Sequence, residues 1–349
     1  MNTTILSVGF ESANGFVKTT SDLHTEVYRN TVREVNKALE MDLYNEKLGS
    51  TIFEIDGKVY EVGALQGARS SSGSSYDRYK TYAYKIESLI AIYKHVIRID
   101  PAYHVKVVAV TGVPTSHHND QQTKNELIQN LVGEYTVNGR KFEIATVDTM
   151  LQPMATFAGR VFHPSGDNNI EAINRYFAND YKTLIVDAGF ETIDFLELLN
   201  GKIVRVAQLN GMGSVYNTIL EKCIGQTSRL RALNLSVYQV EDQLRNGTIV
   251  GGPAISTDAA TFKQDSYMAK AEEMYGQMAQ GGFNFLSYNE ILFTGGGNIA
   301  LKPQLDTFLN NDKRAIFIEN SQMANAQGYL IKAKQITMQM YGNLQGAVN

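Results

Sequence analysis

The apolar positions of this chain follow two periods, and the switches between them mark out its elements. TTILSVGF (3–10) is a short apolar, β-branched run and reads as a buried strand. A polar stretch that mixes strand and loop follows to about residue 68, containing TIFEIDGKVYEVG (51–63), whose Asp-Gly pair predicts a hairpin turn. RSSSGSSYDR (69–78) is rich in Ser and Gly and reads as a surface loop. Residues 81–98 carry helical spacing, HVKVVAVTGVP (104–114) is a strand stopped by Gly-Val-Pro, and 119–133 is a helix. Residues 135–147 form a hairpin with Asn138-Gly139 at its turn.

Near the middle the pattern restarts. TLIVDAGFETIDFLEL (183–198) and GKIVRVAQL (201–209) read as three strands, followed by helices at about 214–224, 236–246 and 258–280. NEILFTGGGN (289–298) is a strand running into three glycines, KRAIFIE (313–319) a last strand, and 321–342 a closing helix. A strand, a polar glycine turn and a second strand thus occur twice, near 5–20 and 184–198, in two halves that both mix strands and helices. An α/β chain of 349 residues is too long for one ordinary core, so two domains are expected.

Composition narrows the function classes. A hydrophobic share of 43% is globular, and a net charge of −4 offers no bulk attraction to nucleic acid or an anionic membrane. The one cysteine, Cys223, makes an internal disulfide or a cysteine zinc site impossible and suits a reducing cytoplasm. MNTTILSVGF lacks the basic and long apolar regions of a signal peptide, and no apolar run reaches the ~18 residues of a membrane span.

The chemistry lies in three glycine turns, each after an apolar strand: GFESANGFVK (9–18), DAGFETID (187–194) and FTGGGN (293–298). A glycine turn at a strand end lets amide groups converge on a phosphate with no Cβ in the way. One such turn alone is ordinary chain reversal. Three in order, two with acids and one with Lys18, match what a polyphosphate needs: amides and a cation for its oxygens, carboxylates for a hydrated Mg²⁺.

The set resembles the actin, sugar-kinase and DnaK-chaperone ATPase superfamily. DAGFETID is similar to its D-x-G-x-x-T-x-D phosphate-2 pattern, NGFVK (14–18) to the end of phosphate 1, and TGGGN (294–298) to the adenosine motif. NGFVK, GVP (112–114), VDTMLQP (147–153) and ANAQGY (324–329) resemble the ParM/StbA type of bacterial actin. The resemblance implies a two-domain, ribonuclease H-like actin fold with ATP or GTP and Mg²⁺ in the interdomain cleft. Domain I would span 1–165, with a smaller subdomain at about 20–100 and the 321–349 helix packed back on it, and domain II 166–320. Asp187 and Glu11 would hold Mg²⁺ through water, and Gln152 would position the attacking water. Ser12, Ala13, Asn14, Gly15, Phe16 and Lys18 would meet the nucleotide from the first turn. Gly189, Phe190, Glu191 and Thr192, with Gly211 and Gly213, would do so from the second, and Gly295, Gly296, Gly297 and Asn298 from the third. Asp194 would brace its hairpin.

The phosphate-1 pattern departs from the usual D-x-G, because Glu11, Ser12 and Ala13 stand at the matching positions. Glutamate reaches one methylene further, and alanine would be strained if its φ were positive. An altered magnesium shell, with slow hydrolysis or a changed nucleotide preference, is the expectation; the alternative is that Glu11 simply replaces aspartate with a small backbone shift.

The resemblance further implies nucleotide-driven polymerisation of the chain with itself, and movement or segregation of plasmid DNA through a DNA-binding adaptor on a centromere, with no direct nucleic-acid or membrane contact. The alternatives are a small-molecule kinase of the same superfamily and a low-turnover assembly scaffold. Cys223 reads as core packing, His117 and His118 lack a third metal ligand nearby, and Lys222, Arg229, Arg231 and Arg245 read as a solvated face.

Overall fold

The computed structural model describes residues 2–36, 46–49, 51–63, 78–280 and 282–345. Residues 69–77 of the expected Ser/Gly loop lie outside the described residues. The chain divides into two compact units, Met1–Asn174 with Met323–Asn349, and Arg175–Gln322.

The first unit is built on a nine-stranded sheet. Its strands are β1 (Thr3–Ser12), β2 (Phe16–Thr20), β3 (Thr25–Arg29), β4 (Val32–Val35), β5 (Ile52–Ile55), β6 (Lys58–Val62), β7 (His104–Val113), β8 (Gly133–Val137) and β9 (Arg140–Leu151), in the order β3-β2-β1-β7-β9-β8-β5-β6-β4. The parallel inner strands β1, β7 and β9 read as near-continuous apolar runs because layers cover both faces of such a sheet. Both predicted hairpin turns need positive φ at two residues, which Asp56-Gly57 and Asn138-Gly139 supply.

Helices α1 (Tyr82–Val96), α2 (Gln121–Leu131), α3 (Gln152–Val161) and the short α4 (Ile170–Tyr176) follow in chain order. Thr81 caps α1 by accepting from the Tyr84 amide, and Asp120 caps α2 by accepting from Thr123. The closing helix, Ser321–Gln345, docks on this unit through close backbone approaches. A Cβ on Gly9 of β1 would overlap Ala326 O and Leu330 N, and one on Gly328 would overlap Ala155 O of α3. A Cβ on Gly112 would overlap the hydroxyl of the fully buried Tyr329. These contacts give ANAQGY and GVP a physical meaning: the two segments are the two sides of one packed seam.

The second unit has a five-stranded sheet, in the order β12-β11-β10-β15-β16. Its strands are β10 (Lys182–Ala188), β11 (Thr192–Leu199), β12 (Lys202–Asn210), β15 (Glu290–Thr294) and β16 (Ala315–Phe317), with the small pair β13 (Ile249–Gly251) and β14 (Ser256–Asp258) apart. Helices α5 (Met212–Gln226), α6 (Val237–Asn246), α7 (Ala260–Gln280) and α8 (Gly296–Leu309) share a core with the strands, and Ser321–Gln345 is therefore α9. Cys223 is buried in that core on α5.

Helices α3, α4 and α8 and the β13–β14 pair go beyond the elements predicted from periodicity. Helix α8 opens on Gly-Gly and contains Pro303, which argue locally against a helix. Leu301, Leu305 and Leu309, one turn apart, are buried in the unit's core and overrule that preference.

Candidate functional site

Each unit carries its glycine turn at the end of an inner strand. In the first unit, antiparallel pairing sets Glu11 opposite Lys18 across the β1–β2 turn. Their side chains meet at 2.6 Å, with Glu11 only 4% exposed. Gln152, at the first position of α3, donates Nε2 to Glu11 Oε1 at 2.8 Å. The Glu11 carboxylate therefore joins Lys18 and Gln152, residues that lie far apart in sequence. The two carboxylate oxygens are engaged separately, Oε2 by Lys18 and Oε1 by Gln152. Ala13 has no positive φ, so its Cβ brings none of the strain considered from the sequence. The buried Ser12 Oγ and Asn14 Oδ1 have no hydrogen-bond partner among the described residues. Phe16 lies beneath the Arg29 guanidinium at 4.3 Å.

In the second unit, Asp187 ends the apolar run of β10 and is 5% exposed. It lies between Asp194 of β11 and Thr294 of β15 in the sheet register. Asp194 accepts from the Thr192 hydroxyl at 2.7 Å and from Gln208 Nε2 at 3.0 Å, so these groups brace the hairpin. Gly189 N donates to Thr192 O at 2.8 Å and closes the turn.

The start of α5 is pressed on that turn. Gly211 N donates to Glu191 O at 2.6 Å, Met212 N to Gly189 O at 3.1 Å and Gly213 N to Phe190 O at 2.7 Å. Gly211 has to be glycine, since a Cβ there would fall within 2.5 Å of Phe190 O. With the carbonyls of 189–191 turned toward α5, the trans peptide plane turns the amides of Phe190, Glu191 and Thr192 the opposite way. Gly211 and Gly213 thus act from behind the turn. The Phe190 ring stacks on Tyr238 at 4.8 Å.

The third turn begins α8. Gly295 has φ +86°, and a Cβ there would overlap Asp187 Oδ1, so the carboxylate and the glycine backbone pack directly together. Ser321 holds Gly295 from the other side, its hydroxyl donating to Gly295 O at 3.2 Å. Gly296 has open space where a Cβ would stand, whereas one on Gly297 would meet Ala188 O at 2.8 Å. The helix start offers unpaired amides suited to an anion. Asn298 is turned inward, 1% exposed, and donates to Val186 O at 2.8 Å and to Thr294 O. It ties α8 to β10. Gln208 and Ser321 were missed in the sequence, because neither lies in a glycine turn and each acts through a partner distant along the chain.

Residues 14–154 match the family of actin-like proteins, N-terminal domain. Over nearly the whole chain, solved structures of actin-like proteins share this architecture. Alp7A superposes with a TM-score of 0.72 at 12% identity, covering 99% of this chain and 100% of that one. This fold is actin-like. A 15-stranded ParM filament from Clostridium botulinum matches the actin-like chain with a TM-score of 0.70 at 18% identity, covering 96% and 100%. Ta0583, an archaeal actin homologue in complex with ADP, matches with a TM-score of 0.66 at 16% identity, covering 95% and 99%. A comparison with curated protein sequences gives no match.

Proposed function

We propose that this actin-like chain is a nucleotide-dependent filament protein that binds and hydrolyses ATP or GTP and, through a DNA-binding adaptor, moves or segregates plasmid DNA. The observation that carries the reading is the joining of Glu11, Lys18 and Gln152 at the phosphate-1 turn of one unit, while the other unit carries an equivalent turn ending in Asp187. Binding of ADP by Ta0583 and the filament of the Clostridium botulinum ParM support nucleotide binding and self-assembly.

In this reading Lys18 and the turn amides bind phosphate oxygens. Gln152 orients water: its bond to Glu11 fixes the amide so that the carbonyl end is free to accept. Among the described residues no cluster of three or more His, Cys, Asp or Glu side chains could hold a metal alone. Mg²⁺ would therefore be held by phosphate oxygens and water, which is the usual mode for this ion, and Glu11 of the first unit and Asp187 of the second are each suited to accept from such water. The cation supplies charge neutralisation on the phosphates.

The test is pelleting with parallel phosphate release, with Mg-ATP, Mg-GTP, Mg-ADP or no nucleotide. The reading expects nucleotide-dependent pelleting above a critical concentration, with phosphate released. Protein that stays in solution under every condition overturns it and directs the search to small phosphate acceptors.

A further inference from the structure

The two phosphate turns are held from behind by different means. In the second unit the helix start of α5 captures the turn carbonyls. In the first unit side chains do this work. Arg78 Nη2 donates to Ser12 O at 2.5 Å, and Asn30 Nδ2 donates to Ala13 O at 2.7 Å. Both donors also bond the same carboxylate oxygen, Glu87 Oε2, each at 3.0 Å. Glu87 projects from α1, and the Arg78 guanidinium lies 5.4 Å from the Tyr84 ring centroid. Arg78 is 7% exposed, Asn30 1% and Glu87 1%.

Two facts give this cluster a direction. No described peptide bond is cis. In a trans peptide the carbonyl of one residue and the amide of the next point opposite ways. Pulling the Ser12 and Ala13 carbonyls toward Arg78 and Asn30 therefore turns the Ala13 and Asn14 amides outward. Among the described residues neither amide has an acceptor, and the buried Ser12 Oγ has no partner either. Burying an Arg–Glu pair is costly compared with apolar packing of the same volume, so bare stability does not account for it. Burial works against the Arg78 charge, and Glu87 together with Tyr79 and Tyr84 more than offsets this, holding the guanidinium above its ordinary range.

We propose that Arg78, Asn30 and Glu87 form a clamp that holds the Ser12 and Ala13 carbonyls inward and so presents the Ala13 and Asn14 amides and the Ser12 hydroxyl to the phosphate chain of a nucleotide. The clamp rests on the nucleotide binding proposed above and adds three positioning residues to it. It acts through the backbone, without touching the ligand. Its three side chains come from the β3–β4 corner, the short 3-10 turn Arg78–Lys80 and α1, so it links the phosphate turn to the first unit's α1 layer.

The experiment is calorimetric titration of Mg-ATP and, separately, of Mg-GTP into wild type, Asn30→Ala, Arg78→Lys and the control Val59→Ala, with a thermal melt of each; where wild type binds only GTP, the comparison is made with GTP in place of ATP. Val59 belongs to a separate apolar cluster with Val35 and Ile52, so its truncation lowers stability without touching the clamp. Lysine at 78 keeps a cation beside Glu87 but lacks the fork that reaches Ser12 O as well. The clamp expects Asn30→Ala and Arg78→Lys each to weaken ATP binding by about tenfold, with Val59→Ala within about twofold of wild type at an equal or larger loss of Tm. Should Arg78→Lys fail to fold, Asn30→Ala carries the comparison. Unchanged ATP affinity in the clamp variants overturns the clamp while leaving nucleotide binding standing. So does a loss that Val59→Ala reproduces at matched Tm. Wild type that binds neither ATP nor GTP overturns the parent reading, and the clamp with it.

Discussion

Gln152 donates to Glu11 at 2.8 Å across 141 positions of sequence, and the same carboxylate pairs with Lys18. Glu11 thus has a geometric role: it bridges the strand end to the first residue of α3. The bridge makes Gln152 a fixed group, and an amide held in one orientation positions water better than a mobile one.

Removing that amide should slow phosphate release with little effect on binding. Gln152→Ala is expected to lower kcat by about a hundredfold while the ATP dissociation constant stays within about threefold. Single-turnover phosphate release beside equilibrium titration separates the two, and equal losses in both would show that Gln152 serves binding instead.

Shortening the bridge tests Glu11 itself. Glu11→Asp draws the carboxylate back by one methylene from both Lys18 and Gln152. The expected result is a shift of about threefold or more in the Mg²⁺ concentration for half-maximal turnover, with a change in rate. Identical metal dependence and rate in the variant would leave the extra methylene without consequence.

The glycines of the third turn should respond in opposite ways. Gly295→Ala forces a Cβ into Asp187 Oδ1 and also strains a backbone at φ +86°. Gly296→Ala faces open space. We expect Gly295→Ala to lose nucleotide binding by at least about tenfold. In a thermal melt Gly295→Ala should lose Tm while Gly296→Ala keeps it, and comparable losses of Tm in both would rule out the packing argument.

Docking of α9 is expected to fail at glycines walled by backbone. Gly9→Ala should cost more stability than Gly112→Ala, because Ala326 and Leu330 press on Gly9 with main-chain atoms while Gly112 meets a side chain, Tyr329. Overpacking of this kind costs about 1–3 kcal/mol where neighbours can shift and more where they cannot. Urea denaturation of both variants gives the order directly.

Acid should weaken the first unit through His95. The ring is fully buried, with Thr19 Oγ1 at 2.7 Å from Nε2 and Ser21 Oγ at 2.9 Å from Nδ1. Burial, reinforced by the neighbouring charges of His24 and Arg98, pushes its pKa from 6.5 down to about 3. Between those values the unfolded chain holds a proton that the folded chain does not, so stability falls as pH drops from 6.5 toward 3. The slope from this group approaches about 1.4 kcal/mol per pH unit. In His95→Gln that contribution should vanish from the pH dependence of urea midpoints, and an unaltered slope would assign the acid sensitivity elsewhere.

The glycine turns were legible in sequence because their chemistry is local: a strand, a positive-φ or close-packed glycine and an acid lie within ten or so residues. The hairpins at Asp56-Gly57 and Asn138-Gly139 were legible for the same reason. Helix α8 was hidden behind its Gly-Gly start and Pro303, and Asn298, which looked like a ligand residue in TGGGN, is a buried tie to Val186. Nothing in their local pattern distinguishes those outcomes, since both depend on what the rest of the unit packs against them.

Periodicity, turn residues and charge by themselves determined an α/β chain with two similar halves and a polar glycine turn at the head of each. These are short-range effects, set by backbone sterics and by the alternation of apolar positions. Only the tertiary structure decided that Glu11 joins Lys18 and Gln152, that Gly112 makes room for Tyr329, and that Arg78 and Asn30 grip the turn at Ser12 and Ala13. Those relationships depend on strand register and on helix docking. They arise when segments distant in sequence share one core, where an unpaired charge or a misplaced Cβ costs more than local propensity can offset.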